Sequence, residues 1–292
     1  MTHISRIVPA RAYRTTAPAG TFLSDDDIRR VAPSVFATAA HQSRSAGFTP
    51  IPTSQILGGL RREGFDVVQA GQSRSRDASR VAFTKHLIRL RHRDQKTGDA
   101  RRLGDVFPAV VLVNANDESS SCVMSAGLFR LVCLNGMTVS EKEFQTVRVT
   151  HWGDVVGKVI EGSFTILDES RKALEHAEAW SAITLVPPEQ TAFAEAARVL
   201  RFGDPEGNVT TPITAEQLLR PNRTADVGTS LWLTFNRVQE NVIKGGLSAL
   251  DRNSTGRSRR VTTRAVNGID QDQRLNRALW LLAETLAGHK AH

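Results

Sequence analysis

The segment Ala109–Met137, AVVLVNANDESSSCVMSAGLFRLVCLNGM, constrains this chain more than any other stretch of its sequence. An apolar run, Ala109–Val113, breaks at Asn114-Ala115-Asn116-Asp117. The Ser119-Ser120-Ser121 tract then leads into a second apolar run that ends at Asn135-Gly136. Two buried elements joined by a polar corner account for this pattern. The second run fits a helical stripe through Met124, Leu128, Leu131 and Val132, and equally a strand in which Leu128, Arg130 and Val132 share a face. Periodicity does not separate the two. In either case Arg130 places a guanidinium inside an apolar segment, where leaving it unmatched costs several kcal/mol. An internal ion pair is the plain expectation.

The flanking sequence sets the fold class. Phe65–Gln72 and Val81–His92 read as strands linked by SRSRDAS, and Leu103–Val113 leads back into the central segment after the polar turn Asp94–Arg102. Successive strands around such turns predict an antiparallel sheet. Ser24, followed by Asp25, Asp26 and Asp27, marks a helix start that Pro33 interrupts. Thr53 or Ser54 can cap a helix from Gln55 to Glu63, which Gly64 stops. From Val155 onward the period is helical, with stripes such as Phe193, Ala196, Ala197 and Leu200, then Leu231, Phe235, Val238 and Val242, then Leu275, Leu279, Leu282 and Leu286. The expected architecture is α+β, an antiparallel β-rich N-terminal half packed with a mainly helical C-terminal half. Residues 1–23 are read as an extended arm, 24–160 as the β-rich core, and 161–292 as a helical part packed on that core, with a mobile basic loop at about 251–262.

Charge is unevenly spread. Lys and Arg outnumber Asp and Glu by 38 to 30, and Ser73–Arg102 alone holds ten Lys or Arg against three Asp. Lys85, Arg89 and Arg91 share one side of a predicted strand, with Arg89 and Arg91 roughly 6.5–7 Å apart and Lys85 about twice that from Arg89, a row that suits phosphates of an extended single strand. The candidate nucleic-acid-binding set is therefore Arg74, Arg76, Lys85, His86, Arg89, Arg91 and Arg93, with Arg257, Arg259 and Arg260 on the basic loop closing over a bound strand. The dull alternative is a solvated sheet face balanced by acids from the helical half. One Tyr and few Phe in polar settings argue against readout by base stacking, so phosphate contact should dominate. A second polar set, Arg130, Asn135, Asn236, Gln239, Asn241 and Lys244, could line a groove; its plain alternative is an exposed helix face with a local ion pair between Arg237 and Glu240.

Diagnostic catalytic spacing is missing: the chain has no HExxH, GxSxG, P-loop or glycine-rich dinucleotide turn. The two cysteines, Cys122 and Cys133, have neither zinc-site nor disulfide-scaffold spacing, so no metal and no cofactor is expected. No apolar run reaches the length of a membrane span, and the opening residues lack a signal-type apolar core. A cytoplasmic protein without membrane contact is the expectation.

Several blocks, GFDVVQAGQSRSR, FTKHLIRLRH, VVLVNANDESSSCVMSAGLFRLVCLNGM, and LWLTFNRVQENVIKGG followed by a basic loop and LNRALWLLAETLA, together resemble the plasmid and phage proteins grouped as domain of unknown function 932. The likeness runs from about Phe36 to Ala287. Asn116 departs from it, standing where the family's Asn-Ser-His-Asp-Gly-type corner has histidine, and Glu118 stands where that corner has glycine. The resemblance implies a setting on mobile elements, where DNA passes through single strands. With the basic strand, it points to a homo-oligomeric protein that binds single-stranded DNA or RNA or anneals strands, similar in plan to phage annealing proteins. The alternatives are a metal-dependent nuclease using His86, Asp117 or His151, and a protein-binding regulator of host defence.

Overall fold

The structure is a computed structural model that describes residues 14–39, 52–95, 106–117, 119–130, 135–139, 144–149, 154–252 and 258–290. The apolar runs of the first half become strands: β1 (Arg14–Thr16), β2 (Phe65–Gln72), β3 (His86–His92), β4 (Val106–Asn114), β5 (Cys122–Arg130), β6 (Asn135–Thr138) and β7 (Thr146–Val149). They form one antiparallel sheet in the order β1-β2-β3-β4-β5, with β6 and β7 pairing successive halves of the same side of β5. The sheet curls into a half-barrel.

The second half is helical, as the change of period requires. The helices are α1 (Asp25–Val31), α2 (Thr53–Arg62), α3 (Val155–Ala182), α4 (Pro187–Phe202), α5 (Ala215–Leu219), α6 (Leu231–Lys244) and α7 (Ile269–Lys290). Ser24 caps α1 as the sequence predicts: its hydroxyl accepts from the Asp27 amide, and the Asp27 carboxylate accepts from the Ser24 amide. Alternation along the strands splits the sheet into two faces. Ile88, Leu90, Val110, Leu112, Met124, Ala126 and Leu128 join the main core, to which α2, α3 and α6 contribute. Leu87, Val111 and Val113 pack on the other face with Ile269 of α7. Trp180 of α3, Phe235 of α6 and Trp280 of α7 meet in an aromatic cluster that fixes the helical layer, with 4.5 Å between the two indole centroids.

The structure decides the choice that periodicity left open and revises the bounds of other elements. The second central run is a strand, and Gly127 within it lies so close to β6 that a Cβ there would stand 2.6 Å from the Met137 carbonyl. The strand expected from Val81 starts at His86, because Ala78–Arg80 forms a short 3-10 turn whose first amides are taken by Asp77. Asn135-Gly136, expected as a turn, opens β6. Within the expected arm, Arg14–Thr16 pairs with β2 as an edge strand. The basic loop is in part an antiparallel ribbon, β8 (Ser248–Arg252) with β9 (Ser258–Thr262); residues 253–257, Arg257 among them, lie outside the described residues.

Candidate nucleic-acid interface

Lys85, Arg89 and Arg91, on β3 and the residue before it, are turned inward and largely covered. Lys85, just before the strand, donates to Asp270 at 2.7 Å, in the first turn of α7. Arg89 is 0% exposed. Its Nε donates to Gln69 of β2 at 2.9 Å, and its two Nη groups donate to the Met137 carbonyl at 2.8 Å and the Thr138 hydroxyl at 3.3 Å. Two strands separate β3 from β6, and Arg89 spans them across the curled sheet. Asp272 of α7 lies 4.0 Å from Arg89 and accepts from Arg14 of β1 at 2.8 Å. Burial lowers the Arg89 pKa to about 10, with Asp272 opposing the shift, so the group stays cationic at neutral pH. Arg91 is also buried. It donates to the Gln95 carbonyl at 2.9 Å and stacks 4.0 Å over the Phe107 ring. Arg93 is held by Asp66.

The expected open row is thus corrected: Lys85 and Arg93 are held by acids, and Arg89 and Arg91 by buried hydrogen bonds. The spacing along the strand was legible. The arrival of Asp270 and Asp272 from the far end of the chain was not. Arg74 and Arg76 are exposed in the loop after β2.

His86 sits at the buried start of β3. Its Nδ1 meets the Ser34 hydroxyl at 3.0 Å and its Nε2 the Thr53 hydroxyl at 2.9 Å, while Asn114 donates to Thr53 and Ser34 donates to Gln72. Thr53, expected as a helix cap, spends its hydroxyl on this cluster. Burial lowers the His86 pKa to about 4. With both ring nitrogens engaged and the ring enclosed, His86 does not offer itself to a phosphate or a metal in this conformation. His151, Glu118 and Cys133 lie outside the described residues, and among those described no cluster of His, Cys, Asp or Glu has the makings of a metal site. Burial pushes the Cys122 thiol up to about 12, which makes it a packing residue.

The second polar set also turns inward. Arg130 donates to Asp226 at 2.6 Å, the internal pair expected of it. Arg223 bridges Asp226 at 3.1 Å and Glu240 at 2.6 Å, and Lys244 reaches Glu240 at 3.0 Å, so a line of alternating charge ties β5 to α6. Burial alone would raise the Glu240 pKa, but hydrogen bonds from Arg223 and Lys244 outweigh it and hold the group below its ordinary value. Gln239 donates to Asn276 of α7, Asn241 to the Leu218 and Arg220 carbonyls, and Asn236 to the Trp232 carbonyl. Helix α6 is buried over nearly its whole length, so neither an open groove nor an exposed face describes it. The side chain of Asn135 lies outside the described set. Asp226, Asp272, Ser34 and Thr53, which organise these clusters, carry no local sequence signal of that role.

The ribbon is different. Arg259 and Arg260 are both exposed on β9, opposite Asp251 and Leu250 of β8 in register. Neither makes an ion pair among the described residues. Leu250 is 63% exposed, and Arg264, just beyond the ribbon, is exposed as well.

Residues 40–280 match the model of the domain of unknown function described as DUF932, and the chain belongs to that family. Two curated relatives come from Escherichia coli strain K12, the UPF0380 proteins YfjQ and YafZ. Each is 44% identical over 282 residues, covering 97% of this chain and 96% of the relative. No solved structure matches the chain. No helix among the described residues is long and apolar enough to cross a membrane.

Proposed function

We propose that this protein binds nucleic acid through the phosphate backbone, with single strands as its target, and that the β8–β9 ribbon is the principal contact. The observation that carries the reading is the state of Arg259 and Arg260, exposed and without an acidic partner among the described residues, where the strand cations are occupied. A two-stranded ribbon holds its backbone groups in its own ladder and presents side chains on both faces. Guanidinium groups so placed can neutralise phosphates at little desolvation cost. The net charge of +8 acts in the same direction by drawing a polyanion to the surface.

A mobility-shift titration with a single-stranded oligonucleotide across salt tests this. The change Arg259→Ala with Arg260→Ala should weaken binding and flatten the log–log salt slope by roughly 1.4, at about 0.7 per phosphate contact on single strands. Lys85→Ala should leave both unchanged, since Lys85 serves Asp270. An equal loss from Lys85→Ala, or no loss from the arginine pair, would move the contact elsewhere.

A further inference from the structure

We infer that the surface between the end of β3 and the middle of α3 is a site for an unpaired nucleobase, a deepening that rests on the nucleic-acid reading above. Two observations meet there. The first is an aromatic ledge. Phe164 of α3, 40% exposed, packs edge-on against Phe65 with 5.2 Å between centroids, and His92 lies 5.0 Å from Phe65 and 6.1 Å from Phe164. Gly64 makes the ledge possible: its φ is +89°, and a Cβ there would stand 2.7 Å from the His92 ring. His92 is anchored through Nε2 to the Glu63 carbonyl at 2.9 Å.

The second is a cavity of about 160 Å³ further along α3, lined by Val106, Phe107, Pro108 and Leu174 together with Asp94, Gln95 and Arg171. That volume is well below the roughly 300–1,000 Å³ of pockets for drug-sized molecules, so it suits one small planar ring and no paired base. Gln95 is 7% exposed, and while its backbone carbonyl accepts from Arg91, neither Nε2 nor Oε1 of its side-chain amide has a partner among the described residues. A buried amide left in this state is costly, and its adjacent donor and acceptor match the edge of a base. The terminal torsion of glutamine is soft, so the amide can turn into the cavity when a ring enters. Phe107 is stiffened from behind by Arg91, 4.0 Å from its centroid.

Ledge and cavity are successive stations along α3, since Phe164 and Arg171 are roughly 10 Å apart at 1.5 Å per residue. Arg93 pairs with Asp66 and Arg171 with Asp168, and the exposed carboxylate of Asp94, which also lines the cavity, leaves the surroundings slightly anionic. The site therefore suits uncharged base edges and faces, leaving phosphates to the ribbon. A base inside a cavity must be unpaired, which gives a physical ground for preferring single strands.

The test compares the full-length protein's affinity for a single-stranded oligonucleotide with its affinity for an abasic strand of the same phosphate count, for wild type, Gln95→Leu and Phe164→Ser. Thermal unfolding serves as a check that each variant is folded. Wild type should favour the base-bearing strand by roughly tenfold, the scale of one stacked base. Each variant should lose most of that ratio while keeping its abasic affinity. Equal wild-type affinity for the two strands overturns the base site and leaves the phosphate reading standing. So does a ratio that Gln95→Leu, folded, does not change, which is the result expected of a cavity holding water alone. Binding to neither strand overturns the nucleic-acid reading itself.

Discussion

Replacing Asp272 by Asn should be among the most damaging isosteric changes available to this protein. The carboxylate is 1% exposed, accepts from Arg14 at 2.8 Å and from Asn276 at 2.9 Å, and stands 4.0 Å from an Arg89 guanidinium with no access to water. Two cations thus face one anion, and asparagine removes the anion while keeping its shape. Two unit charges 4 Å apart attract by about 4 kcal/mol at an effective dielectric of 20, in line with the ~3–5 kcal/mol lost when one partner of a buried pair is removed. Asp270 supplies the control. Its side chain is 76% exposed, and its bridge to Lys85 should contribute no more than ~1 kcal/mol. Equilibrium urea unfolding of wild type, Asp272→Asn and Asp270→Asn measures the difference. If Asp272→Asn loses no more stability than Asp270→Asn, the carboxylate does not offset the burial of Arg89 and the account of that face is wrong.

Two further outcomes follow from buried groups. His86 has its folded pKa depressed from 6.5 to about 4, so the unfolded chain takes up its proton first on acidification. The stability that neutral His86 contributes is complete above pH 6.5 and is lost as pH falls towards 4, by about 1.4 kcal/mol per pH unit. Urea unfolding at several pH values should show a steeper acid loss for wild type than for His86→Gln across that window, and parallel curves would refute it. Gly136→Ala would set a Cβ 2.2 Å from Nε of the pinned Arg89 and should cost roughly 1–3 kcal/mol. Gly58→Ala in α2, where nothing lies within 4 Å, should be neutral or stabilising by up to about 1 kcal/mol.

The fold was largely legible because its signals are local. The strand reading of Phe65–Gln72, a short run buried along its whole length, and the helical stripes after Val155 each follow from the burial of one element, and Ser24 announced α1 through its own first turn. Arg130 was legible too, since a charge in an apolar run must be matched whatever the fold. What the alternation of Lys85, Arg89 and Arg91 could not reveal is which side of the sheet is covered. That depends on curl, on the small residues Gly127 and Gly136 that leave room for a guanidinium, and on an acidic turn distant in sequence. Charge density along the sequence did not reveal which cations the fold would cover. The ribbon was hidden for the opposite reason: SALDR and SRRVT carry so little apolar content that they read as loop, and their pairing comes from the hairpin ladder instead of burial.

The first turn of α7 answers charges on a strand some 185 residues earlier. On a ribosome emitting the chain from its N-terminus, β2, β3 and β6 would all have emerged while Arg89 still had no carboxylate to face. An emerging half-barrel would hold an unneutralised cation in a hollow that water must fill, and it could not dry out until residue 272 appeared. The order of synthesis would therefore leave this side of the sheet without its closing carboxylate until the last helix is made.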